Sequence, residues 1–454
     1  MVIAHSLIFL MVLVGVLPMA WEMKKGKFDF FNLKNPFILY YVVQLGASGL
    51  ITFITEQPSE IGLDPLIYYN EYIQTLLLSI AGLITFQLGY YTSSRRPLAL
   101  PQIVRLPWRP GRHLLILLLY SSIGLCALWL LFRANGGFSQ FLIDREFFRS
   151  GGMIGQGIFL FPCTSMLSTA TLIYFLSCVR VNPRHPGVIP ILLFILSITP
   201  AYFLGFRGSI ILPALQFLVV WRYGYRPIPS EKLAILLIFI MIGFTAYGFS
   251  REIPAGIPVD IDLAVDILTE KPELAIGVLS RSKGLEVVTS VVATLDQTGE
   301  YEFGWKGVME AGTIIIPKII WASKPIPSSE RFTTYFFGKN LALSRGHFAD
   351  KWGGISPTVV GELFWNFGFA GVLIGLFLLG RIASIAYATL LRNIYNPSVI
   401  ICYAIFFTSF SMFAEAIQGY LNGLVMYAFL LTFTFYFLCL QGPSEPQINE
   451  SRDI

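Results

Sequence analysis

IPKIIWASKPIPSSERF (Ile316–Phe332) and LSRGHFADKWGGISPTVVGELFWNFG (Leu343–Gly368) belong to a polar interruption, about Arg251 to Gly354, in an otherwise apolar sequence. The runs flanking that interruption are long and apolar enough to be membrane helices, so it reads as a large loop on one face of a membrane. Composition points the same way. The 454 residues are 55% hydrophobic, 15% aromatic and 13% charged, with a mean hydropathy of +0.67, whereas a soluble domain carries roughly 25% charged residues.

A hydrocarbon core of ~30 Å needs roughly 17–25 apolar residues per helix. The stretches that meet this expectation are 3–21, 36–55, 72–92, 114–132, 158–178, 188–205, 209–222, 233–250, 357–380, 398–417 and 420–440. The expected fold is therefore an all-α polytopic membrane protein of about eleven transmembrane helices. It divides into spans one to eight (1–250), a loop domain (251–356), spans nine to eleven (357–440) and a tail (441–454). Ile3 to Trp21 has no basic residues ahead of it and no evident small-residue cleavage site, so it reads as a retained span instead of a signal peptide.

Loop charge tests this list independently, because cytoplasmic loops collect Lys and Arg. Basic residues follow span one (Lys24, Lys25, Lys27, Lys34), span three (Arg95, Arg96, Arg105, Arg109, Arg112), span five (Arg180, Arg184), span seven (Arg222, Arg226, Lys232) and span nine (Arg381, Arg392). Every second loop is basic, while the loop after span two carries Glu56, Glu60 and Asp64. This places the N-terminus and the long loop outside and the C-terminal tail inside.

Within the long loop, Ile261 to Leu279 and Leu285 to Leu295 have apolar residues three or four apart and are expected to be helical. Val308 to Trp321, apolar except for Glu310 and Lys318 and interrupted by Pro317, reads as a re-entrant or interfacial helix. Residues 251–303 hold four Lys/Arg and ten Asp/Glu, and residues 304–355 hold seven and three. The basic second half is the one suited to an anionic ligand.

The chain lacks GxxxxGK[ST], HExxH and GxSxG signatures. Its five cysteines lie in or beside apolar runs, with no CxxC or Cys/His cluster, and read as small hydrophobes. Asp260 and Asp262 sit in an acidic helical stretch and read as a solvated face. What remains is a set of outward basic residues that oppose the orientation rule: Arg145, Arg149, Arg207, Arg251, Arg281, Lys283, Lys318, Lys324, Arg331 and Arg345. Singly, each has a plain reading: Arg251 and Lys318 as snorkelling groups, Arg145 paired with Glu146 or Asp144, Arg331 paired with Glu330. As a set they suit a diphosphate, which the guanidinium fork binds bidentately. Arg207, joined to its neighbours by the short turn LGFRGSI, and Arg281 lead that set.

His347, flanked by Arg345, Gly346 and Asp350, is an exposed loop histidine or a general base near neutral pH. Glu362 enters the ninth apolar run, where a carboxylate should pair with a basic group or line a cavity. Trp352, Trp365, Tyr335, Phe336 and Phe337 cluster in the same part of the sequence; such rings stack on sugars and also mark membrane interfaces. Arg345 and Trp352 are the candidates for touching a glycan.

Several stretches together resemble the oligosaccharide repeat-unit polymerases, the Wzy-type polymerases of O-antigen and related polysaccharides. They are LGFRGSIILPALQFLVVWRYG (Leu204–Gly224), SREIP (Ser250–Pro254), LSRSKGLEVV (Leu279–Val288), IPKIIWASKP (Ile316–Pro325) and GGISPTVVGELFWNFGFAGV (Gly353–Val372). The resemblance covers roughly Leu204 to Val372, with the first half matching only in the spacing of its spans. It implies a GT-C-like, metal-independent glycosyltransferase of the bacterial cytoplasmic (inner) membrane, without cofactor. Its partners would be undecaprenyl-diphosphate-linked oligosaccharides as donor and acceptor, membrane lipid and a chain-length regulator, with no nucleic acid. In the family's pattern Arg207 and Arg281 would stabilise the departing diphosphate, with Arg145, Arg251 and Lys318 as further contacts. Lys318 stands where an arginine is common, which weakens a bidentate role there. His347 or Glu362 would take the acceptor proton. Two alternatives stay open: an O-antigen ligase, with a lipid A core as acceptor, and a lipid-linked oligosaccharide flippase.

Overall fold

The computed structural model describes residues 2–55, 63–93, 97–100, 104, 108–109, 111–134, 137, 157–184, 187–203, 207–229, 232–233, 284–304, 306, 321, 331–337, 356–414 and 416–439. All regular structure among them is helical. In chain order the longer elements are α1 (Val2–Lys24), α2 (Lys34–Val42), α3 (Ser48–Thr55), α4 (Tyr69–Thr92), α5 (Arg112–Ala134) and α6 (Gly157–Val181). They continue as α7 (Ile189–Phe203), α8 (Arg207–Gly224), α9 (Gly284–Thr298), α10 (Thr358–Arg392), α11 (Pro397–Ser411) and α12 (Ile417–Cys439).

Among the described residues six helical stretches are long and apolar enough to cross a membrane: Val2–Lys24, Lys34–Ile54, Tyr69–Thr92, Arg112–Leu130, Thr358–Arg392 and Pro397–Ala414. Ser165–Val181, Ile189–Thr199 and Gly423–Cys439 are shorter apolar helices. The chain is thus a helical membrane protein. Helix is the form its sequence demands, since in hydrocarbon each backbone N–H and C=O must be satisfied within its own segment. The expected span 233–250 lies outside the described residues apart from Leu233.

Two helices set the centre of the bundle. Along α4 and α10, a Cβ on Gly89 would stand 2.0 Å from the Phe377 carbonyl oxygen, and one on Gly380 would stand 2.0 Å from the Phe86 carbonyl oxygen. Only glycine permits that backbone approach, the device by which membrane helices gain van der Waals contact without a hydrophobic driving force between them.

One end of the bundle gathers the residues that the charge pattern assigns to the cytoplasm. Asp29, in the turn between α1 and α2, accepts hydrogen bonds from Tyr223 Oη at 2.6 Å, Tyr387 Oη at 2.8 Å and the Phe31 amide at 3.1 Å. Arg222 Nε lies 3.4 Å from the same carboxylate. Lys34, fully buried, pairs with Glu22 and donates to Tyr91 Oη at 2.9 Å. Trp108 donates to Ser398 Oγ, Arg180 to the Tyr395 carbonyl and Arg112 to the Phe437 carbonyl. Asn396 caps α11 by accepting from the Ser398 amide at 2.9 Å, with Pro397 at the first helical position, where its missing N–H costs nothing. We call this the basic end; the opposite, loop end is where residues 284–304 and 331–337 join the bundle.

Three departures from plain helix occur toward the loop end. A π-helical turn, Val43–Ala47, joins α2 to α3; such turns tend to mark functional sites. The second departure is in α10, whose 35 residues would extend about 52 Å, well beyond a hydrocarbon core of ~30 Å. Gly368 divides it with φ 62° and ψ −155°, in a region that residues with a Cβ rarely enter. The segment 301–304 takes up polar groups beside this kink: the Glu302 amide donates to the Trp365 carbonyl, the Phe303 amide to the Asn366 carbonyl, and the Gly304 amide to Asn366 Oδ1.

The third departure is α9 itself. The expected helix is present, but it does not lie over the bundle with one face in water. Every residue from Gly284 to Ala293 is buried, against α3, α4 and α10. Its sequence GLEVVTSVVATL presents valines and small hydroxyl residues all round, the pattern of a helix enclosed on every side. Full burial of each valine or leucine contributes about 1.5–3 kcal/mol, which offsets the cost of taking Glu286 in with them.

Candidate functional site

The entry of α9 brings a polar cluster into the loop-end half of the bundle. A Cβ on Gly284 would stand 2.6 Å from the Gln44 carbonyl oxygen and 2.7 Å from Gln44 Cγ, so the helix begins directly against the π-helical turn. The Leu285 amide, one of the donors a helix start leaves without an intrahelical partner, donates to Ser48 Oγ at 3.2 Å, and Ser48 Oγ donates to the Gln44 carbonyl at 2.6 Å. Thr52 Oγ1 donates to Glu286 Oε1 at 2.9 Å. Thr289 donates to Thr75 Oγ1 at 3.3 Å. Tyr72, fully buried on α4, stands within electrostatic reach of the Glu286 carboxylate.

A carboxylate 7% exposed is costly unless hydrogen-bonded. The hydroxyl-rich faces of α3 and α4 supply that environment. They do not fill it: Gln44 Oε1 and Tyr72 Oη are buried and have no hydrogen-bond partner among the described residues.

Glu362 lies in the part of α10 before the kink. The hydropathy reading placed it just inside a span, paired with a basic group or lining a cavity. Its carboxylate accepts the Ile417 amide at 2.7 Å and the Gln418 amide at 3.1 Å. It serves as a side-chain cap for α12, where two orphan N–H groups and the positive end of the helix dipole favour an anion. Hydropathy cannot show this, because the capped helix is 55 residues away in sequence.

An aromatic cluster ties the two elements together. Phe332, on the short helix 331–337, is fully buried against Val287, Val291, Leu295 and Trp365, with Phe336 and Phe337 beside it. Tyr335 stacks on Trp365 at 6.2 Å between centroids and donates to Glu300 Oε2 at 3.0 Å. The rings that the sequence groups together are thus packed mainly on one another. Arg331 pairs with Glu302, which also holds Lys306 at 3.2 Å; Glu330, its partner in the plain reading, lies outside the described residues.

Of the catalytic, diphosphate-binding and glycan-contact candidates, Glu362 is the one whose side chain is described, beside Arg331 of the wider basic set and the rings already placed. Arg207 is the first residue of α8. Arg145, Arg251, Arg281, Lys318, Arg345, His347 and Trp352 lie outside the described residues, as do the expected helix at 261–279 and, apart from Trp321, the one at 308–321. Glu286 was missed: it sits in the acidic half of the loop, which reads as solvated by charge count alone. The signal that could have found it is the unbroken apolar and hydroxyl surroundings of that one carboxylate. Among the described residues no three His, Cys, Asp or Glu side chains come together as a metal site, and none of the five cysteines is in a disulfide, Cys126 being exposed on α5.

The class these observations define is a polytopic helical membrane protein with a buried half-helix at one end. No protein-family model, curated protein or solved structure matches the chain.

Proposed function

We propose that this protein is a polymerase that joins undecaprenyl-diphosphate-linked oligosaccharide repeat units into a surface polysaccharide. It would act by metal-independent glycosyl transfer on the outer face of the bacterial cytoplasmic membrane. The reading carries eleven spans, with the loop end outside and the basic end in the cytoplasm. The observation that carries it is the polar cluster around Glu286, set inside the bundle immediately after the sequence Arg281-Ser-Lys283 in the stretch that resembles the polymerases. A reaction between two lipid-anchored substrates needs acid–base and anion-stabilising groups at that depth, next to the membrane.

In this reading a sugar hydroxyl of the incoming repeat unit attacks the anomeric carbon of the growing glycan. The new C–O bond forms as the bond to the diphosphate oxygen breaks, and the electron pair leaves with the polyprenyl diphosphate. Arg207 and Arg281, with Arg145, Arg251 and Lys318 around them, stabilise the negative charge that develops there. Activation resides in the substrate, so no nucleotide is required.

The test is elongation in proteoliposomes supplied with a lipid-linked repeat unit, without added metal or nucleotide. Wild-type protein is expected to give a glycan ladder, and Arg207→Ala and Arg281→Ala each to abolish it while remaining folded. A ladder unchanged in both variants would overturn the assignment. The buried half-helix also suits a flippase, since transporters build substrate sites from broken helices; that reading predicts movement of the lipid-linked unit across the vesicle with no change in its length.

A further inference from the structure

The basic end carries cations of two kinds. Lys34, buried, and Arg222, half-buried, have carboxylate partners in Glu22 and Asp29. Arg180, Arg184 and Arg226 are exposed, and among the described residues no Asp or Glu lies within ion-pair distance of them.

These three are nevertheless held at one place. The Arg184 carbonyl, just past the end of α6, accepts the Arg226 guanidinium at 3.0 Å and the Tyr225 hydroxyl at 3.1 Å, both from just past the end of α8. Arg226 also lies over the Tyr225 ring, 4.8 Å from its centroid, and that ring packs edge-on against Trp221 at 4.9 Å. Arg180, four residues before Arg184 and so within about 14 Å of it along the chain, donates to the carbonyl of Tyr395 in the turn between α10 and α11. A guanidinium has five N–H donors. Arg226 and Arg180 each give one hydrogen bond to a carbonyl, and the Arg184 guanidinium gives none among the described residues.

Guanidinia gathered without a carboxylate suit a phosphate, which the fork binds bidentately. Their surroundings fix its source. Val181, Val188 and Ile189, on either side of Arg184 in the chain, are largely exposed apolar residues, costly in water and at home beside acyl chains. Trp221 and Tyr225 are of the types that gather at headgroup level. The arginines therefore stand where lipid phosphates lie.

We propose that Arg184 and Arg226, with Arg180 beside them, bind the phosphate of an anionic phospholipid in the leaflet at the basic end. The site does not depend on the polymerase reading. Native mass spectrometry of the whole chain in neutral detergent tests it, with phosphatidylglycerol, phosphatidylcholine or inorganic phosphate titrated in. Wild type is expected to retain phosphatidylglycerol at concentrations where zwitterionic phosphatidylcholine and inorganic phosphate leave it unbound. Arg184→Gln/Arg226→Gln is expected to weaken phosphatidylglycerol about 25-fold, about fivefold for each charge. Lys24→Gln/Lys25→Gln, which removes two exposed cations at the end of α1, should leave the affinity near wild type. Equal losses in the two double variants would mean diffuse attraction and overturn the site, as would equal retention of phosphatidylcholine. Inorganic phosphate held as tightly as the lipid would make the ligand a soluble anion and overturn the lipid assignment. Arg184→Gln alone decides the matter if the double variant does not fold, because its carbonyl remains for Arg226 and Tyr225; an unchanged affinity there overturns the site.

Discussion

At the basic end of the bundle, buried charge is paired with charge: Lys34 with Glu22, and Asp29 with Arg222 and two tyrosine hydroxyls. At the loop end, Glu302 is paired with Arg331 and Lys306, while Glu362 accepts backbone amides of α12 and Glu286 a threonine hydroxyl, and two buried polar atoms, Gln44 Oε1 and Tyr72 Oη, have no hydrogen-bond partner among the described residues. Buried polar atoms without a hydrogen-bond partner occur at both ends among the described residues, Asn35 Oδ1 and Arg222 Nε at the first and Gln44 Oε1 and Tyr72 Oη at the second. What sets the first end apart is buried charge paired with charge across several helices, an arrangement that holds those helices together.

That contrast predicts where substitutions act. The largest effect on stability is expected from Asp29→Ala, which leaves Arg222, Tyr223 and Tyr387 without their common partner; the loss should be about 3–5 kcal/mol, read as thermal unfolding in detergent. A variant as stable as wild type would mean that the basic end does not clasp α2, α8 and α10. Next come Gly89→Ala and Gly380→Ala, which force apart α4 and α10 at a backbone contact. Overpacking of this kind costs about 1–3 kcal/mol, and unchanged unfolding temperatures in both would contradict the close crossing.

Smaller effects separate the two carboxylates of the loop end. Glu362→Ala should cost about 1 kcal/mol, the worth of a helix cap, and hydrogen exchange should quicken in the first turn of α12 alone. Asn396→Ala at the basic end should cost a similar amount through the cap of α11 and provides the yardstick. If Glu362→Ala abolishes elongation while sparing α12, the cap is secondary and Glu362 is chemical. Lys306→Ala should change little, about 0–1 kcal/mol, because its pair with Glu302 is exposed on the lysine side.

Much of the bundle was legible from hydropathy and loop charge. Lys24, Arg112, Arg180, Arg222 and Arg392 fall at or near the ends of their helices, and the contacts of Asp29 with Tyr223 and Tyr387 and of Lys34 with Glu22 and Tyr91 join α1, α2, α4, α8 and α10. The local departures were not legible. A π-helical turn at Val43 and a left-handed glycine at Gly368 leave no trace in mean hydropathy, since glycine and valine suit a straight span equally well. The helix α9 was legible from three- and four-residue apolar spacing, but its burial was not, because the intervening Val, Thr and Ser positions are buried too. Glu362 was recognised as a carboxylate needing a partner, but a backbone amide from a distant helix carries no sequence signature.

The most direct measurement compares one folded variant from each end in the same elongation assay. Per folded molecule, Asp29→Asn is expected to build a ladder of wild-type length and rate, whereas Arg281→Ala builds none. A ladder lost in Asp29→Asn and retained in Arg281→Ala would place the working part at the basic end and contradict the account.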